Sequence, residues 1–457
     1  MATAILDPRL QKQLADIVGE PHVLVDPEVV AGYVVDWTGR FRGDSTAVVR
    51  PADAAQVAAT LSLCRSAGIA VVPQGGNTGL VAGGIAYDGA LTLSLTRLRD
   101  LGPVDSATGQ LTAGAGVTLA DLQARARESG WHFAVDLAAR TSATVGGMTA
   151  TNAGGLHVIR WGPMRDQLTG IRAATTSGTV VGDQRGLLKD NTGYHLPSIL
   201  CGSEGTLAVV TSVRLRVVAP PSTAAVALLA FSSVADAVDA AGSLRRALDD
   251  ISAIELMVAG GVELVRSVRG WPLPFSQPKD ALLLVEASGD DNVMARLAEA
   301  VESLSSVDEV AVGESADQRA RLWRYREAHT DAIATQGPVH KLDVTLPPDA
   351  LASFMSDIRA LVLEHRPEAN VWLFGHAGDG NIHVNITGIA GDDEAIDEVV
   401  LTAVAARGGS ISAEHGIGRA KRRWLHLNRS AEEIEVFRSI KQAFDPDGIL
   451  NPGVLLP

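Results

Sequence analysis

The chain has 457 residues, more than one hydrophobic core ordinarily serves, so two domains are expected, and 46% hydrophobic content with 46 glycines fits a soluble, loop-rich α/β enzyme. Aspartate and glutamate outnumber lysine and arginine by 53 to 39, a formal charge of −14 with no basic run, which excludes nucleic acid as an expected partner and means an anionic substrate must meet its own local cations. Two cysteines, Cys64 and Cys201, without a CxxC pair, exclude a disulfide framework or thiolate zinc site and fit a reducing compartment.

In chain order, MATAILDPRLQKQLADIVG lacks an apolar signal core, and no later apolar run approaches 18 residues. Neither secretion nor a membrane span is expected, and a cytoplasmic protein is the simplest reading. STAVVR, an Ala-rich helix near 52 to 67 and IAVVPQGGNTG make a βαβ-like opening. GALTLSL and GQLTAGAG read as strands, a helix follows near 118 to 129, and TLAVVTSVRLRVV (206 to 218) alternates with Arg214 and Arg216 on its polar face. Pro220-Pro221 disfavours helix and central strand alike, so a domain boundary is placed there: residues 1–219, then 220–410, with 411–457 as a C-terminal segment. Beyond the boundary, AAVALLAF, AIELMV and ALLLVEA alternate with helices near 233 to 248, 291 to 304, 315 to 334 and 348 to 365, an α+β domain with a largely antiparallel sheet. Ser430 to Glu433 reads as a capping box opening the last helix, which stops at Asp445-Pro446-Asp447-Gly448.

Two features carry chemistry. GHAGDGNIHVNI (375 to 386) sets His376 and His383 seven apart around a glycine turn. VWLF before the turn and IHVNI after it read as strands, and a hairpin brings both imidazoles to one point. A histidine beside a turn is ordinarily a hydrogen-bonded structural residue; two together also suit a divalent metal, which then needs a third protein ligand such as a carboxylate. From this stretch both readings stay open. The second feature is three glycine-rich loops, PQGGNTGLVAGG (73 to 84), TSATVGGMTATNAGGLHVIRWG (141 to 162) and LCGSEGT (200 to 206), none of them a P-loop or a GxGxxG fingerprint. Glycine lets backbone N–H groups approach a pyrophosphate, so three such loops in one domain point to a large phosphate-bearing cofactor other than a nicotinamide.

PQGGNTGLVAGG, GGMTATNAGG, KDNTGYHLPSILCGSEGTLAVVT, GHAGDGNIHVNI, SAEHGIGRAKRRWL and FDPDGILNPG, in this order, resemble the FAD-dependent 2-hydroxyacid dehydrogenases of the vanillyl-alcohol oxidase superfamily, most of all those acting on D-2-hydroxyglutarate. The similarity runs from about residue 35 to 457. It implies that superfamily's α+β two-domain fold, an FAD-binding domain plus a substrate (cap) domain, with the C-terminal segment returning to the FAD domain. It implies that Gly75, Gly76, Asn77, Thr78 and Gly79 hold the FAD pyrophosphate, that Ser142, Gly146, Gly147, Thr151, Asn152, Gly155, Gly205 and Thr206 line the rest, and that Asn451 closes the site. Some relatives attach flavin through a histidine in the first loop; Gly75-Gly76-Asn77-Thr78 offers neither histidine nor cysteine, so non-covalent FAD is expected.

The resemblance also implies His376, His383 and Glu414 as metal ligands and His415 as catalytic base. The chemistry agrees: moving an alcohol proton, pKa about 16, to an imidazole, pKa about 6.5, is uphill by about 12 kcal/mol, and a divalent cation on the hydroxyl oxygen lowers that barrier while the C2 hydride goes to flavin N5. Zinc, manganese and cobalt all accept such ligands, zinc being the first expectation. By the same resemblance Arg326, Thr330 and Lys341 hold the substrate's distal carboxylate and Asn385 contacts the substrate from the metal side. Arg326 and Thr330, four apart, share a helix face, and a fork-shaped guanidinium suits a carboxylate. Tyr325 and His329 depart from close relatives within that helix, which puts the length of the acid in question. D-lactate or glycolate oxidation is the neighbouring reading, and a metal-dependent hydrolase or a non-catalytic flavin subunit the reading from another class. The electron acceptor, an electron-transfer flavoprotein or a quinone, and pairing as a homodimer are not decided by the residues.

Overall fold

In the computed structural model, which describes residues 6–272 and 275–457, the chain divides into two units. Residues up to 155, 162–220 and 414–457 form the first; 156–161 and 221–413 form the second.

In the first unit, β1 (Val23–Leu24), β2 (Val48–Val49), β3 (Val71–Gln74) and β4 (Leu91–Ser94) make a sheet of order β1-β2-β4-β3, with β4 parallel to both β2 and β3. The helix Ala54–Ala67 connects β2 to β3. Asp53 caps its start by accepting from the Gln56 N–H, and Gly68, at φ 66°, ends it in the left-handed conformation that glycine adopts without strain. This is the βαβ opening expected from the sequence, its strands short apolar runs because both faces are covered. A second, antiparallel sheet of β5 (Gln110–Gly114), β6 (Leu168–Ala174), β7 (Val180–Val181) and β8 (Val209–Arg216) has the order β5-β8-β6-β7. On β8, Val213 and Leu215 are buried while Arg214 and Arg216 are not, and Arg214 Nε donates to Gln110 Oε1 at 2.6 Å. The last helix, Ala431–Phe444, opens on the capping box of Ser430 and Glu433. After it the chain runs alongside β3: Val71 N–H donates to Ile449 O and Asn451 N–H to Val71 O, both at 2.8 Å.

The second unit is built on one seven-stranded sheet: β9 (Thr223–Phe231), β10 (Ile251–Val258), β11 (Ala281–Gly289), β12 (Glu309–Gly313), β13 (His340–Thr345), β14 (Asn370–His376) and β15 (Asn381–Thr387), in the order β12-β9-β11-β10-β14-β15-β13 and antiparallel throughout. Two details differ from expectation. The helix read over 315 to 334 is two, Ala316–Glu327 and His329–Ala334, meeting at Ala328. Residues 156–161, inside the segment assigned to the FAD-binding domain, group with the second unit because Arg160 Nη1 donates to Asp250 O at 2.8 Å and to Ser288 Oγ at 2.9 Å, at the ends of β10 and β11. No described helix is long and apolar enough to cross a membrane.

Candidate active site

Residues directly opposite in an antiparallel ladder share a face, and so do residues two apart on a strand. The observed pairs His376↔Asn381, Phe374↔His383, Asp343↔His383 and Lys341↔Asn385 therefore gather His376, His383, Asn385, Asp343 and Lys341 on one face of β13, β14 and β15. The hairpin answers the odd spacing of the histidines. His376 ends β14, the turn occupies 377–380, and His383 stands two residues beyond His376's partner, with the rings 5.2 Å apart and edge-on. Gly380, at φ 80°, makes the turn possible, and a Cβ there would lie 2.4 Å from Leu346 O.

The pairing Glu255↔His376 extends the face to β10. Glu255, fully buried, was not singled out by the sequence reading, although an acid within AIELMV is the signal that could have found it. Its Oε1 accepts from His376 Nδ1 and its Oε2 from Arg326 Nε, both at 2.6 Å. Burial alone would push this carboxyl up; the charges and hydrogen bonds of His376 and Arg326 overcome that and hold it at about 2. Arg326 is itself 7% exposed and stacks over the Phe374 ring at 4.6 Å. Its Nε–H is thus committed within the protein, leaving the terminal Nη groups for other acceptors. Thr330 is half-buried on the following helix, and burial lowers the Lys341 ammonium from its ordinary value, opposed by the charge of Asp331.

Tyr325 and His329, expected to alter the carboxylate end, turn into the interior. Tyr325 is buried and its hydroxyl donates to Pro272 O at 2.6 Å. His329 Nδ1–H donates to Tyr325 O at 2.7 Å, its ring lies 5.0 Å from Phe374, and it packs so closely on Gly261 that a Cβ there would be 2.8 Å away. Burial, then the charge of Arg326, push its pKa down to about 4, so it is a neutral core histidine.

Asp343, a further residue absent from the sequence reading, is buried; its Oδ1 accepts from Asn381 Nδ2 at 2.7 Å and lies 3.6 Å from His383 Nδ1. Ser410 pairs with Thr345, and Ala413 N–H donates to Asp343 O, so the segment that leads into Glu414 and His415 returns alongside β13. Asp343, His383, Glu414 and His415 each present one ligand atom, all within 4.8 Å of one another. His376 is outside that group. Mixed imidazole and carboxylate donors of this kind fit a divalent cation such as zinc, manganese or cobalt.

The glycine loops form the other half of the expected site. Gly75 to Gly79 follow β3, Ser142 to Gly155 include the helix Val145–Thr151, and Gly205 and Thr206 precede β8. A Cβ on Gly76 would lie 1.8 Å from Ser142 O, and one on Gly155, at φ 103°, 1.9 Å from Asp136 O, so glycine here lets loop backbones touch. Asn77, Asn152 and Asn451 are left-handed, at φ 53°, 53° and 46°, a conformation asparagine tolerates better than most residues. Their amides tie loops together: Asn77 Nδ2 donates to Val35 O, Asn152 Oδ1 accepts from Arg165 N–H, and Asn451 Nδ2 donates to Gly83 O and Glu204 O. Glu204, unremarked in the sequence, accepts from the Ile417 and Gly418 N–H groups at 2.8 and 2.7 Å; burial raises its pKa against those bonds. Thr206 and Thr151 spend their hydroxyls on Ser203 O and Gly147 O, closing local turns. Asn451 Oδ1 is buried without a hydrogen-bond partner, the kind of atom a bound donor completes, and with the glycine-lined backbone it fits a dinucleotide.

Known proteins match both parts of the chain. The family described as "FAD linked oxidases, C-terminal domain" matches residues 220–455, and "FAD binding domain" matches residues 45–182. The D-2-hydroxyglutarate dehydrogenase of Xanthomonas citri pv. viticola is 36% identical, covering 98% of this chain and 97% of its own. A putative mitochondrial D-lactate dehydrogenase of Schizosaccharomyces pombe is 33% identical over 93% of this chain and 85% of its own. Among solved structures, p-cresol methylhydroxylase with substrate bound superposes with a TM-score of 0.80 over 98% of this chain and 97% of its own at 14% identity, a likeness of fold.

Proposed function

The chain belongs to the FAD-linked oxidases, as an FAD-dependent D-2-hydroxyacid dehydrogenase of the vanillyl-alcohol oxidase superfamily, and from that premise we propose that it oxidises D-2-hydroxyglutarate to 2-oxoglutarate with the help of a divalent metal. The observation that carries this reading is the sheet face on which β13 and β15 align Lys341, Asp343, His383 and Asn385, with Arg326 held on it by Glu255 and Phe374. When bound, FAD supplies at N5 an acceptor for the hydride from C2, and the cation, zinc first and manganese or cobalt next, supplies a Lewis acid for the α-hydroxyl. His376, His383 and Glu414 would hold that cation; His383 and Glu414 belong to the observed cluster, to which Asp343 adds a further carboxylate, and His376 stands beside it with its ring 5.2 Å from that of His383. His415 takes the hydroxyl proton as general base. Arg326, Thr330 and Lys341 hold the distal carboxylate, which in a protein of net charge −14 needs cations of its own, and Asn385 orients the substrate from the metal side. Gly75 to Gly79, Ser142, Gly146, Gly147, Thr151, Asn152, Gly155, Gly205, Thr206 and Asn451 bind FAD without a covalent link. Electrons pass to an external acceptor, an electron-transfer flavoprotein or a quinone.

A relative named for D-lactate supports a second reading, in which the distal clamp is idle and D-lactate or glycolate is the substrate. Purified protein assayed against D- and L-2-hydroxyacids with an artificial electron acceptor decides between them. D-2-hydroxyglutarate should give the highest kcat/KM, acid precipitation should release the flavin, and chelation should abolish turnover with the flavin spectrum intact. A preference for D-lactate would transfer the assignment to the second reading, and turnover that survives complete chelation would remove the metal.

A further inference from the structure

Glu255 is a buried charged side chain that the proposed roles leave unused. It lies on β10, with three strands on one side and three on the other, in a strand of otherwise uncharged residues, and it is fully buried. Burying a carboxylate is unfavourable by several kcal/mol unless both oxygens are well satisfied, and an apolar residue would serve the strand's packing as well. Both oxygens are satisfied, each by a different functional group: Oε1 takes the Nδ1–H of His376, directly opposite in the β10/β14 ladder, and Oε2 takes the Nε–H of Arg326. Accepting from Nδ1 fixes the tautomer of His376, so that Nε2 carries the lone pair, the form a metal-ligating histidine needs. Accepting from Nε fixes the guanidinium plane, which Phe374 supports from below; Phe374 in turn lies 5.1 Å from the His383 ring.

We infer that Glu255 is a positioning residue that orients His376 and Arg326 together, so that one buried carboxylate sets both the metal-binding end and the carboxylate-binding end of the site. This rests on the metal and clamp roles proposed above. It separates Glu255 from an ordinary buried ion pair, because loss of its charge disturbs two measurable properties at once.

The test compares wild type with Glu255→Gln and Glu255→Asp, both loaded with FAD. Glutamine keeps the size but offers a single, uncharged acceptor oxygen; aspartate keeps the charge but is too short to reach both partners. Zn²⁺ affinity, measured in a competing chelator, should fall about 10- to 100-fold in Glu255→Gln, the usual consequence of removing a carboxylate behind a metal-bound histidine. KM for D-2-hydroxyglutarate should rise about tenfold or more while KM for D-lactate, which has no distal carboxylate, changes little; excess Zn²⁺ should restore D-lactate turnover but leave the KM defect. Glu255→Asp should show both effects more weakly. A folded, yellow variant with wild-type Zn²⁺ affinity and wild-type KM overturns the inference, and if Glu255→Gln does not fold, Glu255→Asp decides by the same two readouts. Wild type that binds no Zn²⁺ would instead refute the proposed metal site, and the KM arm would then report on Arg326 alone.

Discussion

The glycine loops of the first unit and the sheet face of the second are built in opposite ways. Around the loops the contacts are made by backbone: Gly76 is where Ser142 O allows no Cβ, and the Asn451 amide is spent on two carbonyls. On the face they are made by side chains: Glu255 with His376 and Arg326, and Asn381 with Asp343. The loops work by excluding side chains, the face by presenting them in register. Substitutions on the face should therefore change chemistry and leave flavin in place, whereas flavin binding should answer to the loops.

The largest effect that separates the two is expected for His415→Ala. Losing a general base slows proton transfer by about two to four orders of magnitude, so flavin reduction by D-2-hydroxyglutarate, followed by stopped-flow absorbance, should slow by that factor with flavin stoichiometry unchanged. His383→Ala should lose both turnover and metal and still be yellow. Flavin missing from either variant would break the separation.

That contrast also explains what could be read from the sequence. The loops are runs of adjacent residues, so PQGGNTG and LCGSEGT show their character directly, as do the capping box at Ser430 and the hairpin from Asn370 to Thr387. The face is assembled by register among strands up to 130 residues apart, and nothing in AIELMV says that Glu255 lies opposite His376. Asp343 went unnoticed for the same reason, two residues beyond Lys341 and opposite His383. Residues 156–161 look like a continuation of a glycine loop, and contacts remote in sequence, Arg160 with the ends of β10 and β11 and His157 with Glu286, place them in the second unit.

Acid should discriminate between the units next. His329 is held at about 4 in the folded second unit, while in the unfolded chain it titrates near its ordinary 6.5. As pH falls from about 6.5 to about 4 the unfolded state takes up a proton that the folded state refuses, so stability drops across that window, by up to about 3 kcal/mol. Glu204, in the first unit, has the opposite sign: burial raises its pKa, so it resists unfolding more as pH falls. Thermal melts from pH 6.5 to 4 should show the loss, and His329→Asn, whose amide can still donate to Tyr325 O, should flatten it. An unchanged slope in that variant would assign the acid sensitivity elsewhere.

An effect of similar size, but confined to a single substrate, is expected at Lys341. Truncating one partner of a desolvated charge pair costs about 2 to 5 kcal/mol, so Lys341→Ala should lower kcat/KM for D-2-hydroxyglutarate by roughly 30-fold or more. D-lactate should be much less affected, and equal losses for both acids would show that Lys341 does not read the distal carboxylate.

The smallest expected effect separates the face from what lies beneath it. Tyr325 precedes Arg326, yet its ring is in the core, edge-on to Trp271 at 5.8 Å between centroids, and its hydroxyl donates to Pro272 O. Tyr325→Phe keeps the ring and removes that bond and the long one the hydroxyl accepts from Arg324 Nη2 at 3.5 Å, leaving a carbonyl short of a donor, a change of about 1 kcal/mol in stability. Because the hydroxyl is buried and bonded to Pro272 O, kcat/KM for D-2-hydroxyglutarate should stay within about twofold of wild type. If Tyr325 instead shaped the carboxylate end of the site, the substitution would shift the ratio of D-2-hydroxyglutarate to D-lactate turnover while leaving the melting temperature nearly fixed. Melting curves and steady-state kinetics on the same preparation distinguish the two, and a changed substrate ratio would place Tyr325 on the substrate side of Arg326 and return the length of the acid to this helix.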